Sequence, residues 1–235
     1  MSGHGYEGLQ MDRSSTVDRV ADALRSALFA GEFEPGTPLR EQQLAAVLGV
    51  ARSTVREAMA MLVTEGLAVR EPNKGVSVAM LQPAAARDIC KARFVLESAG
   101  IRAWAGAGDE ARERVRAALK EFTAVATDGA DPLAMSATHL AIHSSLVALT
   151  GSERLIATAD AILGEARLAL ARVDRLRQDA RQQVTSHRRL VRLVERGEPD
   201  ETVAELRRHL AGAEESLLEA IGVIGRPESV AGSKA

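Results

Sequence analysis

Apolar residues in this chain recur almost everywhere with the period of a helix, and only once with the two-residue alternation of a strand. Leu44, Val47 and Leu48 share one face of a short helix over residues 39–48, which Gly49 stops where a turn must open. In the next helix Val55, Met59 and Leu62 recur at helical spacing and point inward, which turns Ser53, Arg56 and Ala60 to the opposite side. After Gly66, residues 67–78 read as two short strands around Pro72-Asn73-Lys74-Gly75, a wing tipped by Lys74. From Pro83 to Gly225 the alternation disappears and Ala, Leu, Arg and Glu recur at helical spacing. That stretch predicts about six helices, over residues 84–106, 109–127, 132–148, 152–172, 177–196 and 200–222. Gly106-Ala107-Gly108, Gly129-Ala130-Asp131-Pro132, Gly151 and Gly197-Glu198-Pro199 mark the breaks.

The fold class that follows is mainly α, with an N-terminal winged helix-turn-helix domain over residues 12–80 and a C-terminal all-α helical bundle over 81–225. Residues 1–11 and 226–235 carry no periodic apolar pattern and read as disordered tails. A chain of 235 residues has room for both domains. Helix, turn, helix and wing in that order form the architecture that lays one helix in the major groove of double-stranded DNA. Arg52 and Arg56 are the pair suited to guanine edges, because a guanidinium donates two parallel hydrogen bonds; Ser53 and Thr54 bring hydroxyls to a helix N-terminus, where phosphate is favoured.

Charge and cysteine content narrow the setting. A net charge of -2 excludes a generally basic nucleic-acid coat, so DNA affinity has to come from a local patch, and a dimer that doubles a modest patch over two half-sites is favoured. The single cysteine, Cys90, allows no intramolecular disulfide and sits among Ile89, Phe94 and Val95 as a core residue. No signal peptide and no apolar run long enough to span a bilayer is present, which points to a cytoplasmic protein without a membrane partner.

The candidate chemistry lies in the histidines, four of which fall on three predicted helices of the bundle. His139 and His143 are four apart and stack on one helix face, the spacing of helical zinc sites. His187 shares a stripe with Val184, Val191 and Val194, and His209 lies beside Leu206 and Leu210, so both imidazoles aim at the bundle interior, where facing helices build metal sites. Taken singly, each is more often a hydrogen-bonded core or boundary residue than a ligand; their convergence is what suggests a metal.

Residues 17–79 resemble the winged helix-turn-helix of the GntR family of bacterial transcription regulators. The residues that carry the resemblance are Gly31-Glu32-Phe33-Glu34-Pro35-Gly36-Thr37-Pro38-Leu39, Arg52-Ser53-Thr54-Val55-Arg56-Glu57-Ala58, Glu65-Gly66-Leu67 and Gly75. The resemblance implies DNA contacts from Arg52, Thr54, Arg56 and Gly75, with a departure at Gln42, where some members carry a basic residue. The bundle resembles the effector domain of the FadR branch, in which Asp-x-x-x-His on one helix and one His on each of two later helices bind a divalent metal. Here His139 stands in the Asp place, and His143, His187 and His209 match the rest. Arg93-x-x-x-Glu97 matches as well, which implies that Arg93 faces the metal pocket and binds the effector. The resemblance further implies a homodimer, an inverted-repeat operator, a small organic acid as effector, and repression relieved by that metabolite. Leu81-Gln82-Pro83 is the expected hinge between the domains.

An all-imidazole set adds no negative charge, so a bound dication would keep its full charge and attract an anion. Nitrogen donors favour Zn, with Ni or Co as alternatives, over Mn or Mg. Three geometries stay open: a closed tetrahedral structural site, an open site with positions for a carboxylate, and a three-ligand site from which His139 swings away. The open site is expected, with Arg93 in a bidentate pair with the carboxylate; the plainer alternative makes Arg93 and Glu97 a helix-surface ion pair. Two further functions compete: a regulator with a bulky apolar effector and no metal, and a metal-dependent hydrolase with an accessory winged helix. Leu140-Ala141-Ile142 places no glutamate between the paired histidines, and no Ser-His-Asp or Cys-His motif can be assembled, so no catalytic residue is expected.

Overall fold

The computed structural model describes residues 15–127, 131–177 and 180–224, so the two tails at 1–11 and 226–235 lie outside the described residues. The first helix, α1 (Thr16–Ala30), starts at a capping box: Ser15 Oγ accepts from the Asp18 amide at 3.2 Å, and Asp18 accepts from the Ser15 amide at 2.8 Å. It ends at Gly31, whose φ of 81° is the left-handed cap that glycine adopts without strain. Then come β1 (Pro38–Leu39), α2 (Glu41–Leu48), α3 (Arg52–Thr64), β2 (Ala68–Glu71) and β3 (Gly75–Val78). The strands form an antiparallel sheet in the order β1-β3-β2, with Ala68 opposite Val78 and Glu71 opposite Gly75. This is the expected winged helix-turn-helix, with Val55, Met59 and Leu62 buried beneath α3.

One expected core residue is misplaced. Val47 is 83 % exposed, whereas Ala45 is buried and Leu44 and Leu48 pack half-buried on the head core. The buried arc of α2 is centred on Leu44, Ala45 and Leu48, and Val47 falls beyond its edge.

The bundle comprises α4 (Pro83–Ala103), α5 (Asp109–Thr127), α6 (Pro132–Ala148), α7 (Glu153–Arg177), α8 (Ala180–Arg196) and α9 (Pro199–Ile224). All six expected helices are present; α4 tightens into a 3₁₀ turn at Trp104–Gly106, and α7 continues beyond the expected 172. Helix α4 packs on α6, α7 and α9, and α5 packs on α6 and α8. Cys90 is buried in a core shared by α4, α6, α7 and α9, and burial pushes its thiol pKa up.

The head rests on α6 and α7. Ala171 belongs to the head's own core, and Leu133 and Leu168 pack against it. Arg175 Nη1 donates to the Phe29 carbonyl at the C-terminal end of α1, where positive charge is favoured. Arg172 pairs with Glu34 at 2.5 Å, and Arg167 lies 5.3 Å from the Phe29 ring centroid. A Cβ on Gly31 would come within 2.8 Å of Arg175, so this glycine serves both the turn and the domain contact.

Gly100 sets the spacing of α4 and α6, because a Cβ there would lie 1.8 Å from the Leu146 carbonyl oxygen. Gly100→Ala is therefore expected to force the two helices apart and to lower stability by about 1–3 kcal/mol or more. The midpoint of urea unfolding measures this, and an unchanged midpoint would contradict the close crossing.

Candidate metal centre and nucleic-acid interface

Helix α6 buries nearly every side chain from Thr138 to Ala148 because α4, α5 and α7 all pack on it. His139 and His143 are thereby carried into the bundle interior. Helix α8 presents His187, and α9 presents His209. Ring centroids are 5.4 Å apart for His139 and His143, 5.3 Å for His143 and His187, 4.8 Å for His139 and His187, and 4.6 Å for His187 and His209. Ring nitrogens of His139, His143 and His187, one from each, all lie within 4.8 Å of one another. Phe122 closes one side, its ring 5.1 Å from His187 and 5.5 Å from His139. The structure thus brings together all four histidines expected from the sequence.

Hydrogen bonds fix two of the rings. His143 Nδ1 lies 2.9 Å from Glu97 Oε2, and Arg93 Nε donates to the other oxygen of that carboxylate at 2.9 Å. With Glu97 ionised, the proton of this bond sits on Nδ1 and the His143 Nε2 carries a lone pair; with Glu97 protonated, as burial favours, the roles reverse. His187 Nδ1 donates to the Gln183 carbonyl at 2.7 Å, which leaves a lone pair on the Nε2 of the neutral ring. The Nε2 atoms of His143 and His187 face each other at 3.3 Å, a spacing that one shared proton bridges and that also suits two nitrogens bound to one cation. His209 Nδ1 meets Ser186 Oγ at 3.0 Å, while His139 Nδ1 and Arg93 Nη2 are buried with no hydrogen-bond partner.

Arg93 and Glu97 are 3 % and 1 % exposed, so the surface-pair alternative is wrong: α9 covers α4 at this level. Burial pushes the Glu97 pKa up, and the Arg93 charge and hydrogen bond pull it back. A cavity of about 230 Å³ reaches His139, His187 and His209 and is walled by Asp174, Gln183 and Arg208. Arg93 does not line this cavity. Sequence reasoning treated Glu97 only as the partner of Arg93 and overlooked Gln183, Ser186 and Arg208; the α8 pair sits one helical turn and one residue before His187, a register visible only once the helices are packed.

On the head, Arg52, Ser53, Arg56, Lys74 and Gly75 are exposed and Thr54 is half-buried. Arg52, Arg70, Lys74 and Gly75 line one concavity of about 410 Å³ together with Glu41 and Gln42, which places the wing beside the N-terminus of α3. Left-handed backbone at Asn73 and Gly75, φ 62° and 94°, folds the wing tip, where Lys74 pairs with Glu71 at 2.7 Å. Arg56 is held by Glu41, a contact not foreseen from the sequence because the two residues lie on different helices.

Residues 16–78 match the bacterial regulatory proteins of the gntR family, and residues 88–212, more than half of the chain, match the FCD domain. The chain belongs to the GntR family, in its FCD-domain form. This GntR regulator is 29 % identical over 207 residues to the "Probable D-xylose utilization operon transcriptional repressor" of Paenarthrobacter nicotinovorans, covering 86 % of the chain and 88 % of that relative. It is 38 % identical over 93 residues to the gluconate operon transcriptional repressor of Bacillus licheniformis, covering 40 % of the chain and 38 % of that protein. A solved GntR regulator from Rhodococcus sp. RHA1 superposes with a TM-score of 0.70 at 28 % identity, over 87 % of this chain and 98 % of that one. The regulator is thus a DNA-binding, metabolite-responsive transcription factor, and its family sets aside the hydrolase alternative. Among the described residues no helix is long and apolar enough to cross a membrane.

Burial, first among the causes, drives every ring of the cluster toward its neutral form: His187 falls to about 4, and His139, His143 and His209 fall well below the usual imidazole range. The unfolded chain protonates its imidazoles near pH 6.5. From there down to about pH 4, it binds protons that the native His187 refuses, so stability rises with pH across that window and is lost on acidification. Urea midpoints of the metal-free protein are expected to fall as pH drops through this range, with a shallower fall in His187→Gln. An equal slope in the variant would contradict a neutral, buried His187.

Proposed function

We propose that this regulator holds a divalent transition metal on His139, His143, His187 and His209 and binds a small carboxylate effector beside it, and that occupancy there changes how paired heads engage DNA. The observation that carries the reading is the convergence of four imidazoles from three helices, with the Nε2 atoms of His143 and His187 facing at 3.3 Å. Supporting it, His139 Nδ1 and Arg93 Nη2 are buried without partners. The donor set fits Zn first, with Ni or Co as alternatives. When bound, the ion supplies a Lewis-acidic positive centre that an anion can neutralise. Arg93 and Glu97 cancel, so the buried unit without metal is neutral, and a dication leaves it short of negative charge. A carboxylate supplies that charge from the cavity side; Arg93, which does not line the cavity, is not the direct partner that the sequence suggested. The cavity, at about 230 Å³, is small, which disfavours the bulky effector.

Two helices connect the site with the head. Helix α6 carries His139 and His143 as well as Leu133, which packs on the head core. Helix α7 lines the cavity with Leu170, Val173 and Asp174, and meets the head through Ala171, Arg172 and Arg175. A ligand that favours one placement of these helices shifts the head about the Leu81-Gln82-Pro83 hinge, and by linkage the DNA shifts ligand affinity equally. The heads act as a homodimer on an inverted repeat in the cytoplasm, Arg52, Ser53, Thr54, Arg56, Lys74 and Gly75 contact the duplex, and the metabolite relieves repression.

Zinc added to metal-stripped protein is expected to raise the melting temperature, and His143→Ala to abolish that rise. Simple di- and tricarboxylates should raise it further only in the zinc-loaded protein; an equal rise without zinc would defeat the open-site account. Arg56→Ala should weaken binding to a duplex selected from a random library by about 1–3 kcal/mol. Measured by fluorescence anisotropy, unchanged affinity would remove Arg56 from the interface.

A further inference from the structure

Glu41 places a carboxylate on the very face that has to meet a polyanion. Its side chain is 23 % exposed, in the first turn of α2, and lines the same concavity as Arg52, Arg70 and Lys74. A helix start gains from an acidic residue, but that alone does not call for a partner on another helix. Glu41 has one: its Oε1 accepts from Arg56 Nε at 3.0 Å and its Oε2 accepts from Arg56 Nη2 at 2.8 Å, the two-pronged geometry of a guanidinium fork. Arg52 Nη2 lies farther off, at 4.0 Å from the same carboxylate. The Arg56 bond is also the main reason that the Glu41 carboxyl is held below its ordinary range.

The stereochemistry of the fork decides what it does. A guanidinium has five N–H donors in one plane. Glu41 takes the side edge, made by Nε and Nη2. The end edge, made by Nη1 and the second proton of Nη2, is not used by Glu41, and those two parallel donors match the N7 and O6 acceptors of guanine. Arg56 itself is 58 % exposed, so the end edge projects from the head. An arginine without such a brace spreads over many rotamers and settles readily on phosphate, which carries no sequence information.

The geometry points to Glu41 as a positioning residue that sets base specificity: it braces the side edge of Arg56 so that the end edge reads a guanine, at the cost of some phosphate attraction. This rests on Arg56 lying at the DNA interface, as proposed above. Two consequences differ from those of a salt bridge that only stabilises α2 or sequesters Arg56. Removing Glu41 should erode sequence preference while leaving nonspecific binding equal or tighter, and the freed Arg56 should gain a phosphate.

The test is a selection from a random double-stranded DNA library with the full-length protein, Arg56→Ala, Glu41→Ala and Glu41→Asp. Binding of the wild-type-selected duplex and of one random-sequence duplex is then measured over a salt series. The aspartate keeps a carboxylate in the first turn of α2 yet is one methylene short of the fork, and urea midpoints verify that each variant folds. Arg56→Ala is expected to lose the preference at one base position in each half-site. Glu41→Ala and Glu41→Asp should lose it at the same position, cutting the ratio of selected to random affinity roughly five-fold or more. On the random duplex the salt dependence of Glu41→Ala should steepen by about one phosphate per head. Retained preference in Glu41→Ala, or tighter binding of the selected duplex by it, overturns the brace. If Arg56→Ala changes no base position, it is the DNA-reading role of Arg56 itself that fails, a result separable from the first.

Discussion

Four imidazoles and one ion pair share a volume from which the packing of α4, α5, α6, α8 and α9 excludes most water, and every polar atom there needs a partner inside the protein. Glu97 meets that requirement for His143 and Arg93 at once, and the Gln183 carbonyl meets it for His187. Their partners are all on the Nδ1 side. The Nε2 atoms of His143 and His187 are left facing each other while burial drives both rings toward the neutral, electron-donating form, and this is the arrangement on which the proposed metal site rests.

The same packing ties chemistry to DNA recognition. Helix α7 has a cavity face and a head face, and residues on the two faces alternate within a single turn: Leu170 and Val173 on one, Ala171 and Arg172 on the other. Close-packed helices do not deform smoothly, so under the proposed function a change in what fills the cavity would be passed on as a displacement of the helix. The head contact combines the apolar packing of Ala171, Leu133 and Leu168 with arginines that reach the C-terminal end of α1 and Glu34.

Much of this was legible in the sequence. Helical periodicity gave the bundle, because each helix carries its own apolar stripe, and the i, i+4 spacing of His139 and His143 placed both rings on one face. The exposed Val47 was misjudged since a two-turn helix offers too few positions to fix the direction of its stripe. Strand β1 escaped because two residues carry no period at all. Contacts across helices were the least readable: whether Arg93-Glu97 lies at the surface or in the core, that Glu97 bonds His143 from 46 residues away, and that Glu41 holds Arg56 all depend on which helices pack together. Local pattern says which face is apolar; it does not say which polar residue of a neighbouring helix will stand opposite.

The central claim is that a cation belongs between the four imidazoles. Anomalous X-ray diffraction at the zinc absorption edge, on crystals of the metal-loaded protein, tests it most directly. The account predicts one dominant peak per chain, bonded to nitrogens of His143 and His187 and to at least one of His139 and His209. A metal-loaded crystal with no peak there, or with zinc held only by surface carboxylates, would contradict it.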